Sequence, residues 1–473
     1  MKKNVSILLA IALLLALAGC GQPAAQTPAP APQSAAPAEP TPAPLSPLDA
    51  AIVKVLDEKV PVEISFWTGT GAANFPFLEA MVADFQVEYP NITVDFSNQG
   101  PLGELTDKLT QNIVSRSTPT ISNIAPTTFS EYVNSGALVD LAPYYNNERI
   151  GYSDAEKAAF YPHYIAQVES YGPAGTMYGF PTNKKTADIL MYNKTIFDEH
   201  GWSAPATWDD VVTYSKIIFE ETGAAGMSFD SGAYPDGVYK TLSQQWGSPY
   251  IKADGSAEIN NAASKAALEF YKSNMDAGYF TQAALMPSAS GNYAGNGFLM
   301  GECNLMVGPA AGAFYSIPKE ESGHKIFELG VAPMPQYDPS KPIAFFKGED
   351  YCMFANATEE QKVAAWLLIQ FMSADENNVE WLVNTANLPI TSTMLALPEY
   401  KAFLATTADG SVPYYKAAAV NAVLAMEDYL IADVIVPNAG AIAKECGILW
   451  ESVMIGGANI DTALAETDAK VNK

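Results

Sequence analysis

Basic side chains are scarce in this 473-residue chain, which has 26 lysines and arginines against 52 aspartates and glutamates. The formal net charge is −26 at pH 7. A surface this acidic repels the phosphates of nucleic acids and the headgroups of an anionic lipid surface. Neither is therefore a predicted partner, and the charge instead favours solubility.

Cysteine and histidine are also rare, with four and three residues respectively. Three cysteines follow position 20, each among apolar or small neighbours, and this odd set predicts buried thiols with at most one bridge. The histidines are far apart and have neither the spacing of metal ligands nor a link to a Gly-x-Ser-x-Gly nucleophile motif. The residues concerned are Cys303, Cys352, Cys446, His163, His200 and His324.

Motifs that would select a catalytic residue are missing. The acidic residues form many nominal pairs, but nothing marks the two facing carboxylates that glycoside hydrolysis needs. The glycine-rich turn at 68–71 lacks the six-position dinucleotide spacing and the Gly-Lys-Ser/Thr ending of a P-loop. We therefore predict no catalytic residue, no metal ion and no cofactor. A secreted glycan-active enzyme is the competing class.

Long apolar runs are absent except at the start of the chain. Lys2 and Lys3 precede residues 5–18, which are apolar apart from Ser6, and small residues then lead to Cys20. This order indicates an export signal over residues 1–19, too short to span a bilayer comfortably as a helix. The sequence Leu-Ala-Gly-Cys before and at position 20 resembles a bacterial lipobox, which implies cleavage before Cys20 and a lipid on it. A generic signal peptide with an incidental cysteine is the alternative.

The segment after Cys20 is too rich in proline and alanine to bury a core. Residues 21–47 hold nine prolines and eight alanines, with Glu39 as the only charge. Such a composition predicts an extended, semi-rigid spacer. At ~3.1 Å per residue it could reach roughly 80 Å. We predict a tether over residues 20–58.

The remaining residues, about 420 from position 47, have an ordinary globular composition. This length exceeds the ~250 to 300 residues at which a single core stops growing, so two lobes are expected. Strand-like and helix-like patterns alternate between 60 and 125, which predicts a mainly parallel α/β sheet. Ligands bind beyond the carboxyl ends of such strands, here residues 67–71, 98–100 and 125–128.

The stretch 178–210 has the pattern of a strand, a polar turn, a second strand and two capped helices. Asn193 can cap a helix that ends before Gly201, and Thr207 can cap a longer one. This order resembles the extracellular solute-binding proteins of ABC importers, in the branch of the maltose-binding and glycerol-3-phosphate-binding proteins. In that family the segment crosses between the lobes beside the ligand cleft. A β-α-β surface unit is the alternative.

Later segments follow the order of the same family. They are a helix, Phe-x-x-Gly-Glu, strand and ligand loop (292–313), the second crossing (330–335), a strand returning to the first lobe (345–354), paired helices before Leu-Pro-Ile (361–390) and a terminal helix pair (438–473). The resemblance implies a two-lobed periplasmic-binding-protein fold of the type II-like class, each lobe a mainly parallel sheet flanked by helices, with the ligand cleft between lobes. The implied lobes are 59–178 plus 331–388 and 179–330 plus 389–473.

A sugar site needs aromatic rings for C–H faces and planar polar groups for hydroxyls. The strand-end loops, and the loops that the family turns towards its cleft, supply both kinds of residue. An ordinary core aromatic or a solvated surface charge is the alternative at each position. The predicted ligand-binding residues are Trp67, Thr68, Gly69, Gln99, Asn123, Thr127, Asn183, Lys184, Asp230, Tyr234, Trp246, Gly308, Pro309, Phe314, Gly348, Glu349 and Asp350, and Lys185, Phe346 and Lys347 fall in the same loops.

The charge of the ligand is open at this point. We expect the lysines at 184–185 and the acids Glu349 and Asp350 to face one another across the cleft. Where glycerol-3-phosphate binders have serines, this chain has those lysines and the alanines at 310–311. A neutral sugar or oligosaccharide is therefore favoured, and glycerol 3-phosphate or another charged small metabolite is the alternative. The resemblance also implies ABC permease subunits as partners, a monomer, and an extracytoplasmic location with only the lipid anchor touching the cell membrane.

Overall fold

The computed structural model describes residues 45–230, 236–252, 254–291, 293–408, 410–433 and 435–473. Residues Ser46–Lys473 form one compact unit. The predicted export signal, Cys20 and the tether up to residue 44 lie outside the described residues. In the part that is described, no helix is long and apolar enough to cross a membrane.

The unit is built from helices and short strands in alternation. The described helices are α1 (Pro47–Ile52), α2 (Phe75–Glu88), α3 (Leu102–Ser115), α4 (Pro126–Asn134), α5 (Ala142–Tyr145), α6 (Asp154–Ala159), α7 (Pro162–Glu169), α8 (Lys194–His200), α9 (Trp208–Thr222), α10 (Gly237–Gln245), α11 (Ala262–Asp276), α12 (Gly295–Leu299), α13 (Glu359–Ser373), α14 (Asp375–Thr385), α15 (Pro398–Leu404), α16 (Val412–Leu424), α17 (Ala439–Met454) and α18 (Ile460–Val471). The described strands are β1 (Val62–Thr68), β2 (Ile92–Asn98), β3 (Ile121–Ile124), β4 (Phe180–Pro181), β5 (Thr186–Asn193), β6 (Ala225–Phe229), β7 (Tyr250–Ile251), β8 (Ala257–Glu258), β9 (Cys303–Pro309), β10 (Leu329–Pro333), β11 (Ala344–Lys347), β12 (Asp350–Met353) and β13 (Leu430–Ile431).

The first sheet has the strand order β2-β1-β3-β12-β4. β1 runs parallel to β2 and β3, whereas β12 runs antiparallel to β3 and β4. Val62, Ile64 and Phe66 alternate along β1 and are all buried, which is the pattern of a strand with one face on the core. The predicted strand and helix alternation in this part of the chain is confirmed.

The second sheet has the order β13-β11-β5-β9-β6, and β10 pairs with β5 on the same side as β11. The pairs β6–β9 and β11–β13 are parallel. β5 is antiparallel to β9, β10 and β11. Residues 329–347 thus supply two strands of the second sheet, whereas the sequence assigned residues 331–388 to the first lobe.

The predicted α/β class with two sheets is confirmed, but the sheets are mixed rather than mainly parallel. In these two sheets, every antiparallel pair involves β5 or β12. β5 follows β4 after four residues, and β12 follows β11 after two, so the chain passes directly from one sheet to the other at these two points. Each of these strands then pairs with neighbours that are distant in sequence.

Local capping signals in the sequence are realised. The Asn193 side chain accepts a hydrogen bond from the Ile196 amide at the start of α8, and Gly201 ends that helix with φ +68°. Thr207 begins α9 with a reciprocal capping box to Asp210. These caps fix where the chain turns after β5, as predicted.

Residues 47–57 differ from the tether prediction. α1 and the π-helical turn Val53–Asp57 bury Ala51, Ile52 and Val55. Ser46 caps α1 by accepting from the Asp49 amide. These apolar side chains recur at helical spacing, so this segment packs on the core. The proline-rich residues 21–44 before it contain no large apolar side chain.

Candidate functional site

The carboxyl ends of β1 and β2 lie side by side at one edge of the first sheet. The Gln99 amide donates to Thr68 O over 2.8 Å, and the Asn98 side-chain amide donates to Thr70 O over 2.5 Å. The hydroxyls of Thr68 and Thr70 are 2.9 Å apart, with half-buried Gly69 between them. The predicted residues Thr68, Gly69 and Gln99 are therefore brought together, because parallel neighbours end at the same edge.

Two crossing segments connect the sheets beside these strand ends. Residues 182–185 lead from β4 to β5, and residues 348–349 lead from β11 to β12. Gly348 has φ +136°, and a Cβ atom there would lie 2.4 Å from the Lys184 carbonyl oxygen. The crossing segments therefore pack backbone against backbone at a position that only glycine fits.

Lys184 connects the crossing segments to the end of β1. Its ammonium lies 2.6 Å from Glu349 Oε2 and 3.2 Å from Thr70 Oγ1. The Glu349 contact is a charge pair with a poor hydrogen-bond angle, since that oxygen accepts no hydrogen bond among the described residues. The side chains of Lys184 and Glu349 are only 15% and 12% exposed, so the charges neutralise each other inside the protein.

Lys185 forms a second, fully buried pair with Asp350. The Nζ to Oδ1 distance is 2.6 Å, and the Tyr171 hydroxyl donates to Asp350 Oδ2 over 2.5 Å. Burial raises the pKa of Asp350, while Lys185 and Tyr171 act in the opposite direction. The expectation that the lysines and acids face one another across a cleft is corrected here. They are in direct contact, because the crossing segments run side by side.

The second sheet contributes the ends of β6 and β9 and the start of β5. Asp188 and Ile189 in β5 lie opposite Pro309 and Gly308 in β9. The Asp230 amide donates to the β9 carbonyl at position 307 over 2.7 Å. A Cβ at Gly308 would lie 2.9 Å from Asp230 Cβ, so glycine allows this close approach. Predicted residues Asp230, Gly308 and Pro309 are thus neighbours.

A third ion pair lies at this edge of the second sheet. Lys347 Nζ, at the end of β11, is 2.6 Å from Asp188 Oδ2 on β5, and both residues are buried. Thr186, which precedes Asp188 on the same face of β5, accepts a hydrogen bond from the Ala311 amide over 3.1 Å. Residues 182–185 connect the two sheets. The strand ends of the first sheet and those of the second sheet therefore both lie next to the crossing segments.

Two buried amides in this region have unused hydrogen-bonding groups. Asn123, next to the end of β3, is 1% exposed, and neither its Oδ1 nor its Nδ2 has a hydrogen-bond partner among the described residues. Asn183 is 4% exposed with an unpartnered Nδ2, while its carbonyl accepts from Trp381 Nε1 over 2.8 Å. Buried polar groups are normally paired, so these two are the strongest candidates for contacting a polar ligand.

Thr127 is half-buried in the first turn of α4. It lines a cavity of about 50 Å³ whose other walls come from α10, β7, β11, β13, the residues just after β13, and α17. A Cβ at Gly440, near the start of α17, would lie 3.7 Å from Thr127 O. Thr127 therefore connects the first sheet's strand ends to helices that pack on the second sheet.

The predicted aromatic residues divide into two groups. Trp67 is half-buried near the end of β1, and its carbonyl accepts from Ser122 Oγ over 2.8 Å. Phe314 lies in the 3-10 segment Ala310–Ser316 after β9, with the Lys416 ammonium 4.7 Å from its ring centroid. Trp67 is the penultimate residue of β1 and Phe314 follows β9, so both lie near strand ends that belong to the site.

Trp246 lies elsewhere. Its ring stacks on Tyr337 at 4.0 Å and packs at 4.9 Å from Phe270. Trp246 directly follows α10, whose nine residues span roughly 13 Å, so it lies at the far end of that helix from Gly237. The structure does not bring Trp246 to the other predicted residues. Tyr234 lies outside the described residues.

No sequence pattern predicts the contact between His163 in α7 and Glu427 in the 3-10 turn Glu427–Tyr429. The Nδ1 to Oε1 distance is 3.4 Å. Burial lowers the pKa of His163 to about 4, aided by the charge of Lys185, and burial raises the pKa of Glu427 to about 7, aided by Asp428. Between pH 4 and pH 7 both side chains are therefore uncharged, and the 3.4 Å contact is not an ion pair in that range. No local motif marks it, because it joins residues over 260 positions apart.

Metal and thiol chemistry have no visible framework in the described part of the chain. No group of three or more His, Cys, Asp or Glu side chains there could hold a metal ion. Cys303, Cys352 and Cys446 are buried and unbridged. Burial raises the pKa of Cys446 to about 12 and raises those of the other two as well, which makes all three poor nucleophiles.

The fold matches solved structures closely despite low sequence identity. Maltose-bound MalE3 of T. maritima is 18% identical with a TM-score of 0.70, covering 87% of this chain and 99% of that one. An ABC substrate-binding protein of Listeria monocytogenes in complex with cycloalternan is 18% identical with a TM-score of 0.70, covering 87% and 98%. UgpB of Mycobacterium tuberculosis in complex with glycerophosphocholine is 17% identical with a TM-score of 0.69, covering 86% and 97%. These are two-lobed binding-protein folds.

Sequence comparison reaches the same family independently. No curated protein matches the chain significantly. Residues 80–408 match the family described as bacterial extracellular solute-binding protein, which includes both crossing segments and most strands of both sheets. The chain therefore belongs to the bacterial extracellular solute-binding proteins, which bind small molecules outside the cytoplasm and deliver them to ABC permeases.

Proposed function

We propose that this protein captures a neutral, hydroxyl-rich solute, a sugar or an oligosaccharide, where the strand ends of the two sheets meet. The charge pairing of the site carries this proposal. Lys184, Lys185 and Lys347 each lie 2.6 Å from a carboxylate oxygen of the protein itself. An anionic ligand would have to displace an internal carboxylate, and breaking a buried pair leaves an uncompensated charge.

The remaining polar groups suit hydroxyls. The Asn123 amide offers one acceptor and two donors, and Asn183 offers a donor group. A neutral sugar can satisfy such groups without bringing charge into a buried site. Maltose and cycloalternan, bound by two structural relatives, are ligands of this kind. Glycerophosphocholine, bound by a third, represents the charged alternative, which the paired lysines disfavour.

Calorimetric titration with maltose and with glycerol 3-phosphate, each at low and high salt, tests the proposal. Neutral binding should change little with salt, because no net ion pair forms on binding. Lys184→Ala should weaken a phosphate ligand more than Trp67→Ala does, and the reverse should hold for a sugar. Salt-sensitive binding of glycerol 3-phosphate that is lost in Lys184→Ala would exclude the neutral-sugar proposal.

The attachment and delivery parts of the proposal rest on the sequence. A lipid on Cys20 would hold the protein at the cell membrane. The protein would act as a monomer, and the proline-rich tether would let it reach ABC permease subunits. Cys20→Ala should release the folded protein from the membrane fraction. Retention of that variant would reveal another anchor.

The protein acts in this proposal as a binder and not as an enzyme. A bound sugar should therefore be recovered chemically unchanged after many hours with the protein. Chromatography of the recovered ligand measures this directly, and steady turnover would move the protein to the enzyme class.

A further inference from the structure

The cavity beside Thr127 has properties that bear on which ligands the site admits, an inference that rests on the proposed function. Its volume of about 50 Å³ is too small for a sugar ring and holds a group of a few heavy atoms. Thr127, in the first turn of the helix that follows β3, and Phe345, in strand β11 of the second sheet, both line it. The cavity therefore lies between α4, which leaves the carboxyl end of β3, and strand β11, which leads into the crossing segment at 348–349.

Most of the cavity wall is apolar. Ile431 of β13, Ile435 and, from helix α17, Ala439, Ile442 and Ala443 form one side. Phe345, 4% exposed, forms part of another side. Ile431 is exposed and Asp433 has 23% side-chain exposure, so water reaches part of the cavity, whereas Asp236 and Lys240 are buried and their charges are only weakly screened.

Those polar groups are charged, with the negative sign in excess. Lys240 Nζ lies 2.8 Å from Asp433 and 3.8 Å from Asp236, and these three are the charged residues of the described cavity lining. The Tyr250 hydroxyl also donates to Asp236 over 3.2 Å. One ammonium therefore faces two carboxylates, which leaves one carboxylate charge uncompensated.

A further carboxylate acts on the same lysine. Burial alone would lower the pKa of Lys240, but Asp433, Asp236 and Asp188 together raise it. Asp188 is 7% exposed, and although its Oδ2 meets Lys347, its Oδ1 has no hydrogen-bond partner among the described residues. Counting Lys347, three carboxylates surround two ammonium groups, so the excess negative charge persists in the wider network.

We propose that this cavity receives one end of the captured solute and admits a small group that donates hydrogen bonds, a hydroxymethyl or a protonated amine, while excluding a carboxylate or phosphate. Asp433 is the specificity-determining residue, since it is the more accessible carboxylate at 23% side-chain exposure. A donor group can bond to its remaining lone pairs, whereas an anion is repelled by the excess negative charge.

Two matched sets of sugars test the proposal on the folded protein. The sets are glucose and maltose, each with hydroxyl, amine, carboxylate or phosphate at the terminal C6, titrated by calorimetry. The hydroxyl and amine forms should bind within tenfold of each other. The carboxylate and phosphate forms should bind at least tenfold more weakly.

Variants then assign the selection to the cavity. Asp433→Asn should bring the anionic forms to within about threefold of the hydroxyl form. Its matched control is Asp428→Asn, an exposed carboxylate that does not line the cavity and should leave the ratio unchanged. Ala443→Met is the second variant, for use if Asp433→Asn fails to fold. Residue 443 is half-buried and lines the cavity, so a longer side chain there can enter it and should weaken the binding of all forms at least tenfold.

The outcomes separate this inference from the proposed function. The cavity assignment would be overturned if the anionic forms bound the wild type as tightly as the hydroxyl form. It would also be overturned if Asp433→Asn left the selection unchanged and Ala443→Met left the affinity unchanged. Either result would leave sugar binding in place. Failure of both parent sugars to bind at all would count against the proposed function, and the cavity assignment would fall with it.

Discussion

Lys185 Nζ and Asp350 Oδ1 lie 2.6 Å apart with both side chains fully buried, and this pair joins the two crossing segments between the sheets. The ammonium also lies 5.7 Å from the ring centroids of Tyr164 and Phe346, which pack edge to face on each other at 4.7 Å. A buried charge needs its partner more than an exposed one does, because water cannot replace it. The pair therefore ties the stability of the crossing to the presence of both residues.

Lys185→Met should destabilise the protein by about 3 to 5 kcal/mol, because it leaves Asp350 charged and buried without its main partner. Urea unfolding followed by tryptophan fluorescence measures the loss. Lys54→Met, which removes an exposed ion pair with Glu360, is the control and should have little effect. Adding Asp350→Asn to Lys185→Met should recover part of the stability, and equal losses in the Lys54 and Lys185 variants would contradict the buried pair.

Gly348→Ala should destabilise the crossing more than the same change at an open position with positive φ. A Cβ at residue 348 would lie 2.4 Å from Lys184 O, so one crossing segment must move away from the other. Gly136→Ala is matched, since Gly136 has φ +70° and nothing within 4 Å of its Cβ position. The control should lose on the order of 1 kcal/mol from backbone strain alone. Thermal unfolding of both variants compares them, and similar losses would show that backbone contact at 348 is unimportant.

Asn123→Ala should reduce ligand affinity without reducing the stability of the ligand-free protein. Its side-chain amide makes no hydrogen bond among the described residues, so the change removes none and deletes a buried polar group. Asn378→Ala is the contrast, since Asn378 is equally buried and donates to Met372 O and Ala374 O. That variant should lose about 1 to 3 kcal/mol of stability and keep its affinity. A large stability loss in Asn123→Ala would point to a structural role.

The stability of the protein should depend on pH through His163 and Glu427 with opposite signs. The folded-state pKa of His163 is about 4, below its ordinary 6.5, so its contribution is lost as pH falls from 6.5 towards 4. The folded-state pKa of Glu427 is about 7, above its ordinary 4.5, so its contribution is lost as pH rises from 4.5 towards 7. Between pH 4.5 and 6.5 the two slopes oppose each other, and the wild-type pair contributes little net slope.

Single variants should expose each slope. In His163→Leu, stability should fall as pH rises through this range, and in Glu427→Gln it should fall as pH is lowered, by on the order of 2 kcal/mol in each case. Lys185, which faces His163, and Asp428, which faces Glu427, stay in place in both variants. Urea midpoints at pH 4.5, 5.5 and 6.5 measure the slopes. The double variant should match the wild type, whereas parallel slopes in the two single variants would refute the assignment.

Local rules account for the part of the fold that the sequence predicts correctly. The caps at Asn193 and Thr207 depend on neighbours within three residues, and the burial alternation of β1 depends on its own side chains. The strand-end rule brought Thr68 and Gln99 together because it follows from sheet geometry alone. These features need no knowledge of the rest of the chain.

Long-range pairing explains the remainder. The ion pairs of Lys184 and Lys185 join residues 165 positions apart in sequence, and the antiparallel placement of β5 and β12 also depends on strands more than 100 positions away. Trp246 was grouped with the ligand residues for its side-chain type, but its stacking on Tyr337 is decided by packing that no local pattern encodes. The family resemblance supplied the correct fold, yet not which charges are neutralised within the site.

The interleaving of the two sheets has a consequence for synthesis. β12 lies between β3 and β4 although it follows both in sequence, and β13 joins the second sheet only at Leu430–Ile431. As the chain leaves the ribosome, β3 has no partner on that side until residue 353 has emerged, and the second sheet stays incomplete until residue 431. Contacts this distant in sequence form slowly. A nascent chain therefore cannot complete either sheet until part of its carboxyl-terminal third has emerged, and its sheets present unpaired strand edges through most of translation.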